Sequence, residues 1–100
     1  MVDITEFLAL KGLSLDLKVV REWAEPDPAF VAYALRHHRE FDMQHLRCAM
    51  QMLQAVNSDT VRELFLQYSD HPVTGCRAMA RGSLELHRER GWTSEAPAAS

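Results

Sequence analysis

Taken as apolar and polar positions, the chain repeats at helical intervals over most of its length. Phe30, Ala34, His38, Phe41, His45, Cys48, Met52 and Val56 recur at steps of four or three, the pattern of one helix face. No segment sustains the two-residue alternation of a half-buried strand. Asp3 with Glu6 reads as a capping box for a short helix through Ile4, Phe7 and Leu8, with Gly12 as its stop. Ser14 is expected to cap a second helix over residues 15–25, carrying Leu15, Val19, Val20 and Trp23. "EPDP" at 25–28 ends that helix, because a residue before proline avoids the helical region. Asp27 and Pro28 then start the next one.

Between Pro28 and Val56 there is no further Gly or Pro, so one long helix and two helices divided at Asp42 both fit the stripe. After a turn at "NSDT", residues 57–60, Thr60 with Glu63 reads as a second capping box for a helix through Val61, Leu64, Phe65 and Tyr68. Asp70 and Pro72 open a last helix that Gly91 ends. The expected fold is therefore all-α. It is a compact bundle of five or six helices over residues 1–92, with a frayed tail at 93–100. "PDPAFVAYALRHH" and "SDHPVTGCRAMAR" echo each other about 43 residues apart, within the range of HEAT-like helix–turn–helix repeats. Two units fall short of the roughly three that such a stack needs, and the echo is weak.

The segment "MQHLRCAMQMLQAV", residues 43–56, confines Gln44, Arg47, Gln51 and Gln54 to an arc of about 80°. Nearly everything else on it is apolar, as in a buried central helix. A chain this short has few helices left to surround it. Met43, Leu46, Met50 and Leu53 step at 3-4-3, like positions a and d of a coiled coil, and are the residues expected to meet a second copy or another protein. Methionine suits an adaptable surface and an irregular core equally. Trp23, Phe30, Phe65 and Trp92 are the aromatic candidates for the same contact.

Charge narrows the partners. A formal net charge of −3, with no basic tract, argues against a nucleic-acid module held by phosphate contacts. Arg77, Arg81 and Arg88 share a helix face and leave a local alternative, which Glu85 interrupts. No apolar run approaches the roughly 20 residues of a membrane span, and the first residues lack the pattern of a signal peptide. Two cysteines 28 positions apart form neither a zinc spacing nor a disulfide framework. A cytoplasmic protein of bacterial style, with no membrane or nucleic-acid partner, is expected.

One stretch holds candidate chemistry. "HHREFDMQHLRC" carries three of the five histidines and one of the two cysteines. On a continuous helix His38 and His45 differ by about 20°, and Cys48 lies one turn beyond His45. These three could share a face and take a fourth ligand from His71, Cys76 or His87, which makes a metal- or haem-binding protein the alternative reading. Against it, there is no C-x-x-C, H-E-x-x-H, C-x-x-C-H or paired Glu-x-x-His. Phe41, Met52 and Val56 on the same face look like a core stripe. A histidine partly buried there would also loosen an interface in acid. Four isolated glycines build no phosphate loop or nucleophile elbow, and a thiol in an apolar stripe tends to be inert. The expectation is a non-enzymatic interaction module without a cofactor, of adaptor, chaperone or regulator type, that self-associates through an apolar helix face.

Overall fold

Where the helices begin is decided partly by caps and partly by neighbours. The computed structural model describes residues 1–92, and the tail expected at 93–100 lies outside them. Along the chain run α1 (Ile4–Ala9), α2 (Gly12–Arg21), α3 (Pro28–His37), a single 3-10 turn (His38–Glu40), α4 (Met43–Leu53), α5 (Asp59–Tyr68) and α6 (Thr74–Glu89). There is no strand among the described residues, so the all-α class is observed.

Asp3 caps α1 as expected, its carboxylate accepting the Glu6 N–H. α2 starts two residues ahead of Ser14. Gly12 turns the chain sharply with φ +64°, and the Gln44 side chain takes both its N–H and its carbonyl, each at 2.8 Å. A tertiary partner replaces the cap. α2 also stops at Arg21, short of residue 25, because Trp23 folds into the core. Asp27 precedes α3 with Pro28 in the first position, yet its carboxylate accepts the Val2 N–H at 2.8 Å and so ties down the start of the chain. α5 is capped by Ser58 rather than Thr60. Pro72 lies two residues before α6, whereas Pro28 opens α3, so the two halves of the repeat echo start differently.

The stretch 28–56 is not one helix. Phe41 is extended with its ring in the core, and the Asp42 carboxylate accepts the His45 N–H at 2.8 Å to begin α4 afresh.

α4 is the centre of the molecule. α2 and α6 pack against it, and α5 packs against α6 and α3. At one end, Phe7 stands among four rings, with centroids 5.1 Å from Phe30, 5.7 Å from Phe41, 6.3 Å from Trp23 and 5.0 Å from His45. This cluster docks the six-residue α1, too short to hold its shape alone. At the other end, buried His87 stitches three elements. Its Nε2–H donates to the Gln54 carbonyl at 3.1 Å, and its Nδ1 accepts from Arg62 Nη1 at 3.3 Å. Because the carbonyl can only accept, this geometry selects the neutral Nε2–H tautomer. Arg62 is held in turn by Asn57 and Asp59, and Phe65 and Trp92 flank the imidazole edge-on.

Candidate functional site

The histidine and cysteine candidates separate. The break at Phe41–Asp42 removes His38 from the helix that carries His45. His38 places Nδ1 2.7 Å from the Tyr68 hydroxyl, and burial, with Arg39 nearby, lowers its pKa. His45 points Nδ1 at the Asp42 carboxylate, 2.8 Å, and Nε2 at the Phe7 carbonyl, 2.9 Å, so both ring nitrogens face acceptors. The Asp42 carboxyl is held below its usual range, first by the His45 backbone N–H. The Cys48 thiol donates to Asp16, and burial together with that carboxylate pushes its pKa up to about 12. Of the fourth-ligand candidates, His71 accepts the Val73 N–H, Cys76 is buried, and His87 is engaged as described. Among the described residues no group of three or more His, Cys, Asp or Glu is placed to hold a metal ion. The shared ligand face that the spacing implied is not formed.

The expected partner face is also inside. Leu46, Met50 and Leu53 are fully enclosed by this chain, and of the four residues only Met43 reaches solvent. The physical reason is coverage: the other helices of this chain, α2 and the 16-residue α6 among them, pack around α4 and leave these side chains no path to solvent. Trp23, Phe30 and Phe65 belong to the same core, and Trp92 sits against His87. The polar arc of α4 works as a set of ties. Gln44 holds Gly12 and Asp16, and Gln54 holds Ser83.

The arginine face of α6 is committed internally. Arg77 donates to the His71 carbonyl, Arg81 to the Ser69 carbonyl and to Asp70, and Arg88 pairs with Glu85. The Arg77 and Arg81 guanidiniums thereby brace the turn at 69–73, and all three arginines have less left to offer a phosphate.

What the fold leaves open is the outer side of α2. Leu13, Leu17 and Val20 are 70%, 38% and 61% exposed, at helical steps of four and three. They fall within an arc of about 60°. Leu15 and Val19, across the helix, are buried in the core. At Val20 the stripe runs into a cleft of about 230 Å³ between α2, α4 and α6, lined by Val20, Ala55 and Leu86 and by Gln51, Gln54 and Arg90. Asp16 flanks the stripe on one side, fixed by Gln44 and Cys48. Arg21 flanks the other, and its guanidinium makes no ion pair among the described residues. Lys18, by contrast, is tied to Glu6 and Glu22. A more open apolar depression of about 340 Å³ along α3 is lined by Pro26, Pro28, Val31, Ala32, Leu35 and Val56, but Val31, Leu35 and Val56 already pack on the core. Leu13 and Val20 do not.

The sequence carried a usable signal for this surface. In "LSLDLKVV", residues 13–20, leucines stand at every second position, which a helix sends to opposite sides. One set must therefore lie outside. Compared with family models, curated proteins and solved structures, the chain has no match.

Proposed function

We propose that this protein is a small non-enzymatic interaction module of the cytoplasm, adaptor or regulator in type, that offers the outer face of α2 to another protein. One observation carries the reading: Leu13, Leu17 and Val20 form a continuous apolar stripe in solvent, extended by the adjoining cleft. Single exposed apolar residues are ordinary, but a contiguous set rimmed by charge marks a contact surface. The other exposed large apolar residues, such as Leu8, Leu66 and Val73, sit on separate elements. The groups of greatest chemical potential are spent on structure: Cys48 is a neutral thiol, and His45 and His87 bond to backbone carbonyls. No helix among the described residues is long and apolar enough to cross a membrane, in keeping with a partner met in water.

The test is site-specific photocrosslinking in the cell that makes the protein. A photoreactive side chain at Leu13 is expected to give a discrete adduct that disappears when Val20→Asp is added. The same group at Glu63, exposed on α5, is expected to give none. Equal labelling at both positions, or none from Leu13, sinks the reading.

A further inference from the structure

We infer that the occupant of the α2 face is a second copy of this chain, with the two α2 helices side by side and parallel. The inference rests on the reading of α2 as an interaction surface and names what covers it. Leu13, Leu17 and Val20 take positions d, a and d of a heptad. That register puts Asp16 at g and Arg21 at e, on opposite flanks of the stripe. In a parallel pair each g residue meets the e residue five positions further along the other helix. Asp16 of one copy therefore reaches Arg21 of the second copy, and the two-fold axis makes this contact twice. In an antiparallel pair g flanks meet g flanks and e flanks meet e flanks, so neither charge finds its opposite.

The flanks are prepared for this. Gln44 and the Cys48 thiol hold the Asp16 carboxylate in place while leaving it acceptor capacity, and the Arg21 guanidinium has no acidic partner in its own chain among the described residues. Rim ion pairs of this kind set orientation more than strength. Strength comes from the apolar stripe, about 10 Å long from Leu13 to Val20, and from the clefts beyond Val20. Three exposed apolar side chains on one short helix make a small contact beside the roughly 800 Å² per partner of a standard interface, so the dimer is weak and exchanges with monomer.

Sedimentation equilibrium on the whole chain, from about 10 µM to about 1 mM, reads the outcome over the range of weak association. The expected mass rises with concentration from 11.4 kDa towards twice that value, and Val20→Asp holds it at 11.4 kDa with an unchanged helical circular dichroism spectrum. Asp16→Arg or Arg21→Asp alone is expected to weaken the dimer about fivefold, and the two together to restore it to within about twofold. A mass of 11.4 kDa at every concentration overturns the inference. An adduct of Leu13 with a different protein would then leave the interaction reading standing, whereas loss of both would remove it too. A dimer indifferent to either single charge reversal, or one that the double reversal fails to rescue, overturns the parallel arrangement.

Discussion

The thiol of Cys48 shows how surroundings can remove a residue's chemistry. A cysteine reacts as thiolate, and a pKa of about 12 leaves about one molecule in ten thousand ionised at pH 8. Cys76 is fully buried and its pKa is raised as well, chiefly by that burial. Both thiols are therefore expected to be silent towards a disulfide reagent in the folded protein and to react together on denaturation. One equivalent released within minutes from native protein at pH 8 would refute that. The neighbouring histidine is likewise absorbed into structure. His45 joins α1 to α4 through the Phe7 carbonyl, and the ring of Phe7 packs on its edge.

Among the elements, the start of α4 is the point where a single side chain does two jobs. The Asp42 carboxylate caps the helix and also holds His45. Asp42→Ala is expected to lower stability by about 1–2 kcal/mol in urea unfolding, and Asp42→Asn, which keeps an acceptor for the cap, by less. Equal losses would mean that the carboxylate charge, not the cap, matters. This boundary also shows where the sequence was ambiguous. Phe41 and His45 point inward on either side of the break, so the four-three spacing runs through it unmarked; Asp42 alone signalled a new start. Asp3 was legible as a cap because its partner lies three residues away. Gly12 was not legible as the start of α2, because its partner Gln44 is 32 residues distant. The stripe on α2 was hidden for another reason. Leu13, Leu15 and Leu17 are the same residue type, and only the packing says which of them faces water.

At the scale of the whole molecule, the burial that organises the bundle also makes it sensitive to acid. His87 and His38 have pKa values lowered mainly by burial, and Arg62 and Arg90 add to the effect at His87. The unfolded chain therefore binds protons more readily at these two sites than the folded one does. Their contribution is fully present above the unfolded value, near pH 6.5, and is lost as pH falls through the folded values. Asp42 and Asp27, whose pKa values are also lowered, act the same way but only in the carboxylate range. The urea midpoint is thus expected to be lower at pH 5.5 than at pH 7.5. His87→Gln, which keeps a donor for the Gln54 carbonyl, is expected to shrink the difference. A midpoint unchanged or higher at pH 5.5 would rule this out. The apolar character of residues 43–56 correctly marked the centre of the bundle. What it lacked was the identity of the cover, since nothing local to Met50 or Leu53 says which helices will enclose them or that α6 will return to pack on α4.

That return takes time. A polypeptide is synthesised from its N-terminus, and Leu53 is made 36 residues before Glu89, the last residue of α6. At about 5–20 residues per second the gap is roughly 2–7 s. For that interval α4 lacks one of the helices that pack against it in the finished fold. The centre of the bundle is thus made before one of its walls, and its packing is completed by a part of its own chain still to be translated.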